Sequence, residues 1–490
     1  MNHQRRTLLK TGAAVAAAIS LPASSYARVL GINEQLRGAV IGLNGRGKNH
    51  LQGHGDQIVA ICDCDTKVMD QQYDAWIKKP TKSGATRSLA KYQDYRKLLE
   101  DSSIDFVSIA TPNHQHSIMG IEAAMAGKHV YVEKPVSHNV WEGRQLSNAQ
   151  AKYNVVIQCG TQSRSSPSLQ AAVKFVRDGG IGKLQYAVGT CYKPRKSIGK
   201  LDAPLSLPSH IDYDLWCGPA EKRSLFRSRL HYDWHWDFNT GNGDMGNQGI
   251  HQMDIARWFL GYDTVSPRVF SVGGRVGYED AGDTPNTQTV IHDYPEAPLI
   301  FETRGLPAAK QFQGKGWGQN MDNYRGSRIG VIVQGASGYV VIPNYTSVTA
   351  FDDDGNEIQK FKGGGDHYAN FRDAVEAGDQ SKLNAPIVEG HLSSALCHTG
   401  GVSHQLGESM SAKEVLQSVS RESEWFRDSV KRMLDHLKAN EVDVENGDGL
   451  VLGASLKCDP KTEQVTNHEK GNTMMSREYR KGFVVPEVNV

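Results

Sequence analysis

The chain has almost no net charge, with 55 Lys and Arg against 54 Asp and Glu in 490 residues. No basic block stands out beyond the N-terminus, so a surface built to neutralise phosphate backbones is excluded and no nucleic-acid partner is expected. Cysteine is sparse. Cys62, Cys64, Cys159, Cys191, Cys217, Cys397 and Cys458 are odd in number, scattered and free of C-x-x-C spacing, which gives neither a disulfide framework nor a zinc or redox site. No metal is expected. Past residue 27 no apolar run is long enough to cross a bilayer, and no fixed-period repeat is visible.

What is present begins with an address. Arg5-Arg6-Thr7-Leu8-Leu9-Lys10, an alanine-rich apolar stretch from Ala13 to Leu21 and then Ser25-Tyr26-Ala27 stand in the order of a twin-arginine export signal. Residues 1–27 are read as that signal, with the twin-arginine machinery as partner and a periplasmic or otherwise exported location. The remaining length exceeds what one hydrophobic core organises, so two domains are expected.

From Leu36 short apolar runs alternate with helical patterns. Gly38 to Gly42, Gln57 to Cys62, Asp105 to Ala110, His129 to Val132 and Val155 to Gln158 read as strands. Tyr95 to Glu100 and Ser117 to Ala126 read as helices, the latter stopped by Gly127. This predicts an α/β chain: an N-terminal doubly wound parallel sheet of Rossmann type over residues 36–158. An α+β substrate domain over 159–420 comes next, with a large, mostly antiparallel sheet that has one solvated face. Its strands are Leu184 to Cys191, Arg268 to Val272, Thr287 to His292, Leu299 to Thr303 and Ile329 to Gln334, with helices at His251 to Leu260 and His367 to Ala377. Residues 421–490 form a charged helix, Ser423 to Lys438, and a polar extension packed on the surface or partly mobile.

Gly42-Leu43-Asn44-Gly45-Arg46-Gly47 succeeds the first strand and opens a helix. Glycines there let backbone amides approach a pyrophosphate at a helix N-terminus. Asn44 replaces the second glycine of the usual pattern; it tolerates left-handed backbone, and Gly45 beside it adds freedom. Asp63 ends the second strand, 21 residues beyond Gly42, where a carboxylate accepts from an adenosine ribose and repels a 2'-phosphate. NAD is therefore expected over NADP. His50 and His54, four apart without a third ligand, read as surface histidines rather than a metal pair.

Two further segments carry a resemblance. Ile109-Ala110-Thr111-Pro112-Asn113-His114-Gln115-His116 and Gly127-Lys128-His129-Val130-Tyr131-Val132-Glu133-Lys134-Pro135 resemble the glucose-fructose oxidoreductase and inositol dehydrogenase family, Gfo/Idh/MocA. Likeness continues through Gln158 to Arg164, Asp214 to Pro219 and Gly249 to Asp254, across about 370 residues. The resemblance implies that Thr111, Asn113 and His116 approach the cofactor, that Glu133 and Lys134 line its reactive end, and that Pro135 shapes the loop. It makes Lys134 the proton carrier and His251 the second-domain histidine. Many relatives have Asp four residues before that histidine, where this chain has Asn247, which takes no proton. Asp254, three residues after His251, is a further acid on that helix.

Gln162, Arg164, Lys193, Arg195, Trp234 and Trp236 are substrate candidates, the tryptophans because ring faces with polar edges suit a sugar. His231, His235, Asp237 and Tyr192 stand in the same clusters, as do the lesser candidates His367 and His398. Three functions fit: hydride transfer at a sugar, polyol or sugar derivative; NAD-assisted glycoside cleavage by transient oxidation and elimination; and a non-catalytic exported sugar-binding protein. The cofactor is expected to be tightly bound, and a homo-oligomer is possible.

Overall fold

A computed structural model describes residues 35–446 and 449–490; residues 1–27, read above as an export signal, lie outside them. Strands β1 (Gly38–Ile41), β2 (Ile58–Cys62), β3 (Ala90–Tyr92), β4 (Phe106–Ile109), β5 (His129–Val132) and β6 (Ile157–Cys159) make a parallel sheet in the order β3-β2-β1-β4-β5-β6. β1, β4 and most of β5 are buried on both faces, as expected where helices cover a parallel sheet. The order reverses between β1 and β4, and the crevice outside their C-terminal ends is where such sheets take ligands.

Helix α1 (Gly47–His54) comes after β1, and α2 (Thr66–Ile77) comes after β2 under an N-cap, Asp65, whose side chain accepts from the Lys67 and Val68 amides. His50 and His54 are fully buried rather than on the surface. Both point to the Ser108 hydroxyl, at 2.8 and 3.0 Å, among the rings of Tyr131, Tyr368, Phe106 and Phe371. Burial lowers both imidazoles' pKa values, so they are neutral packing groups at physiological pH.

Strand β7 (Leu184–Tyr192) opens a second sheet that continues through β8 (Arg268–Gly274), β9 (Thr287–His292), β10 (Leu299–Arg304) and β11 (Ile329–Gly335). Its pairs are antiparallel except β7 with β10. One face packs on the helices Pro167–Arg177, Ile250–Leu260 and Ile387–Gln405. The other face, expected to be solvated, is covered by Ala412–Ser418 and Glu424–Ala439. The latter buries Phe426, Val430, Met433 and Leu437 at helical spacing. Each such side chain contributes about 2 kcal/mol when fully buried.

The chain crosses the expected domain boundaries twice. Helix His367–Ala377 returns to the first domain and buries Phe371, Ala374 and Val375 beside β1 and β4 side chains. The C-terminal extension, expected as a surface segment, pairs short strands with β8, then buries Phe483, Val485 and Val488 in the first domain's core. Polar composition hid these few apolar anchors.

Candidate active site

A cleft of about 360 Å³ runs along the C-terminal ends of the first sheet. Gly42 has φ +87°, and a side chain there would meet the Ala110–Thr111 backbone at 2.8 Å; one at Gly47 would sit 1.9 Å from the Gly42 carbonyl. The turn closes only without side chains at those positions. Gly45, by contrast, faces open space, and no side chain caps the N-terminus of α1 at Arg46. Uncapped first-turn amides beside an open glycine fit a pyrophosphate.

At the end of β2 the Asp63 carboxylate accepts the Leu43 amide at 2.8 Å and the Asp65 amide at 2.9 Å. Burial raises its pKa to about 6 despite those bonds. Each oxygen keeps a second lone pair for a ribose hydroxyl. Thr111, Asn113 and His116 also line the cleft. Asn113 donates to Asn242 Oδ1 at 3.1 Å, and the His116 ring is fixed between the Pro135 and Thr111 carbonyls, at 2.6 and 2.8 Å. His116 shapes the wall, its nitrogens already committed.

β5 delivers Glu133 and Lys134 to the other end, three strand spacings from β2, or about 14 Å. Burial opposes ionisation of Glu133, but Arg46 Nε at 2.7 Å and His50 Nε2 at 3.1 Å hold its pKa well below the ordinary carboxylate range. Gln162 also donates to it, at 3.4 Å, so Gln162 serves Glu133 from outside the cleft lining. The Lys134–Pro135 peptide is cis. Lys134 Nζ donates to the Asn247 backbone carbonyl at 2.6 Å. Burial lowers its pKa, Arg46 and Lys193 push the same way, and Glu133 opposes.

Asn247 lies in a π-helical turn, Met245–Gly249, ahead of the α-helix Ile250–Leu260. Its backbone carbonyl meets Lys134, and the π-helical turn sets it apart from the α-helix that carries His251. Widened turns of this kind are frequent at functional sites. His251 is 8% exposed, has its ring 4.9 Å from Tyr345, and finds no hydrogen-bond partner for either nitrogen among the described residues. Burial, then Lys134, pushes its pKa down to about 3. Lys193 reaches Gln248 Oε1 at 3.4 Å, and Gln248 donates to the Tyr345 hydroxyl at 2.6 Å.

Several expected substrate or catalytic groups are paired elsewhere. Arg164 and Asp254 bond each other at 2.9–3.0 Å with almost no exposure, and Ser393 donates to the same carboxylate at 2.7 Å. Neither reaches the cleft, because two charges removed from water hold each other. Arg195 is bidentate on Asp244 and lies 4.7 Å over the Trp236 ring, which buries both. Asp237 binds Arg227 and Arg223, and Tyr192 donates to Glu302 at 2.6 Å. His367 and His398 bond Ser165 and Ser137 in the interior. Of the aromatic cluster, Trp234, His231, His235 and the unanticipated Tyr232 line the cleft. Tyr232 has φ +75°, a feature no sequence signal announces.

These features define a two-domain α/β protein with a cleft of dinucleotide-binding type at the C-terminal ends of its first sheet. Residues 36–161 match the profile of an oxidoreductase family with an NAD-binding Rossmann fold, and residues 186–300 match that family's C-terminal α/β domain. The chain belongs to this family, Gfo/Idh/MocA. It is 29% identical over 168 residues to a levoglucosan dehydrogenase of Pseudarthrobacter phenanthrenivorans, covering 34% of this chain and 36% of that protein. It is 32% identical over 157 residues to a glycosyl hydrolase family 109 protein of Solibacter usitatus, covering 29% and 35%. The matches thus span about a third of these relatives' lengths. A levoglucosan dehydrogenase structure with NADH and levoglucosan superposes with a TM-score of 0.54 at 18% identity, over 74% of this chain and 95% of that one. That likeness concerns the fold.

The pairing of Asp254 yields a test. Asp254→Ala leaves Arg164 buried with only Glu389 to answer it, and is expected to cost about 3 kcal/mol of unfolding free energy in urea titration. Turnover per folded molecule should change only a few-fold. Intact stability with turnover lost 10²-fold would mean that Asp254 does chemistry.

Proposed function

We propose that this chain is an exported NAD-dependent oxidoreductase that transfers hydride at a hydroxyl-bearing carbon of a sugar, polyol or sugar derivative. The observation that carries this is Lys134: a part-buried amine, its pKa lowered, at the end of the cleft opposite Asp63 and facing the second domain. When bound, the dinucleotide supplies a hydride acceptor at nicotinamide C4. The neutral Lys134 amine takes the hydroxyl proton as the carbon gives up its hydride, so that the alcohol loses two electrons and becomes a carbonyl. To do so it exchanges the Asn247 carbonyl for the substrate oxygen. His251 lies just outside the cleft lining; neutral and with both ring nitrogens unengaged among the described residues, it is the group placed to orient a substrate hydroxyl that reaches past Lys134.

A second reading is favoured by the likeness to the glycosyl hydrolase family 109 protein and by an asparagine at position 247, which neither takes up nor gives up a proton as an acid would. In it, oxidation of a ring hydroxyl acidifies the adjacent C–H. A base removes that proton, the aglycone leaves with its oxygen and takes up a proton, water adds, and the stored hydride returns to the ketone. The net reaction is hydrolysis. A glycoside panel monitored for both NADH and aglycone separates the readings: net NADH marks a dehydrogenase, and aglycone without NADH marks cleavage.

In either case Lys134→Met should leave dinucleotide bound and reduce turnover about 10²-fold or more. Turnover of the native protein in the oxidising direction should rise with pH through an apparent pKa below 10.5, since the unprotonated amine is the active form. The methionine variant should lose that limb; near-normal turnover would exclude Lys134 from the chemistry.

The preference for NAD rests on the Asp63 charge. Its raised pKa, about 6, places the neutral acid within reach of mildly acidic buffers. Repulsion of a 2'-phosphate is therefore present above about pH 6 and lost below it. Discrimination against NADP, measured by calorimetry, should narrow as pH falls through that value and be narrow at all pH in Asp63→Asn. Equal discrimination in both proteins would remove Asp63 from the ribose site.

Export is supported by the Arg5-Arg6 segment, and it bears on the cofactor. The twin-arginine route carries folded proteins into a compartment without an NAD pool, so the dinucleotide is loaded before export and travels with the chain. At an association rate of about 10⁶ M⁻¹s⁻¹, a residence of hours requires a dissociation constant near 10⁻¹⁰ M, or a cover that slows both directions. Purified mature protein should carry near-stoichiometric dinucleotide through dialysis, as read by mass spectrometry. An empty protein with micromolar affinity would contradict retention.

A further inference from the structure

Residues 193–244 leave β7 and lie across the cleft before the chain enters helix Ile250–Leu260. Leu215, Trp216, His231, Tyr232, Trp234 and His235 from this segment line the same cleft as the Gly42–Arg46 turn and Asp63. A dinucleotide seated there has protein on both sides.

The insertion is fastened to the first domain at the Asp63 end. Asp65 and Ile211 form an isolated antiparallel bridge, with the Thr66 amide donating to the His210 carbonyl and the Asp212 amide to the Cys64 carbonyl, both at 3.0 Å. The Asp65 carboxylate takes His210 Nδ1 on one oxygen at 2.9 Å and His231 Nε2 on the other at 3.0 Å. Further along, the His114 ring lies between the Trp216 and Thr240 carbonyls, at 2.9 and 3.1 Å. On the outside, the C-terminal extension holds the same insertion: Arg480 donates to the Gly218 carbonyl at 3.1 Å and Arg477 to Asn239 Oδ1 at 2.7 Å. That extension is itself anchored in the first domain's core by Phe483, Val485 and Val488.

We propose that Asp65, His210 and His231 are retention residues of the dinucleotide site, a clasp that must open before the adenosine end can enter or leave. The clasp rests on the retention reading and deepens it by naming the cover and its latch. Two partly exposed histidines on one carboxylate make a closure that is modest in strength and reversible, as loading before export requires. The kinetic signature comes from position. A residue that only touches the ligand changes the dissociation rate, whereas one that holds a door changes entry and exit together and leaves affinity nearly constant.

His210 separates these roles, because it joins the clasp without lining the cleft, and its removal leaves the Asp65 N-cap of α2 in place. In the full-length protein, His210→Ala and His210→Ala/His231→Ala are compared with the native chain. Exchange of bound dinucleotide is read with deuterated NAD⁺ by mass spectrometry, and association by NADH fluorescence on protein freed of cofactor. In His210→Ala both rates should rise about 5-fold, with the dissociation constant within about 2-fold of native. Rates equal to native, or faster dissociation alone, overturn the clasp. Asp65→Asn, which keeps a capping side chain, gives the same readout if the histidine variants fold poorly. A native protein purified empty would end the retention reading, while the association rates would still decide the clasp.

Discussion

Two opposite charges at the end of β5 are taken out of water where the domains meet, and neither domain alone supplies their partners. Glu133 is answered from the first domain and the junction by Arg46, His50 and Gln162. Lys134 is answered from the second domain by the Asn247 carbonyl. Desolvating an ion costs several kcal/mol unless partners are in place, so the Lys134 ammonium at this end depends on the second domain being docked as it is. Docking in turn sets the depth of the cleft and presents Lys134 to whatever lies beyond the nicotinamide end. The Arg164–Asp254 pair, joined by Glu389 and Ser393, repeats the logic deeper in the junction.

Elements whose physics is local were legible in the sequence. β1, β2, β4 and β5 are short apolar runs because parallel strands are buried on both faces, and helix His367–Ala377 shows its bounds through an apolar stripe and Gly378. The glycine turn and Asp63 stand out by residue type and spacing, Glu133-Lys134 by the family resemblance, and the fold brings all of them to one cleft. What pairing decides was not. Arg164, Asp254 and Arg195 look like free functional charges until tertiary contacts show each one's partner. Likewise, nothing local marks His50 and His54 as buried, or the turn at Met245–Gly249 as π-helical. The extension after Asn440 misled because three apolar anchors among many polar residues produce no period.

The two catalytic readings draw on one set of residues. Lys134 as proton acceptor and His251 as a neutral orienting group suit a first oxidation step common to both, while the asparagine at position 247 leans toward cleavage. They part only once the ketone has formed. A covered cleft favours a cofactor that is regenerated in place, and cleavage regenerates it within each turnover, whereas dehydrogenation outside the cytoplasm requires a second substrate to take the hydride away. On the proposed reading, the segment over the cleft, the Asp65 clasp and the C-terminal strap belong to one account with export.

The central claim is that one cleft holds a dinucleotide extended from Asp63 to Lys134, with a sugar hydroxyl delivered to the Lys134 amine. A crystal structure of the protein with NAD⁺ and a bound pyranose tests it most directly. The account predicts the pyrophosphate at the α1 N-terminus beside Gly45, the adenosine ribose on Asp63, and a sugar hydroxyl within hydrogen-bond distance of Lys134 Nζ. A dinucleotide bound elsewhere, or a sugar that leaves Lys134 on the Asn247 carbonyl, would contradict it.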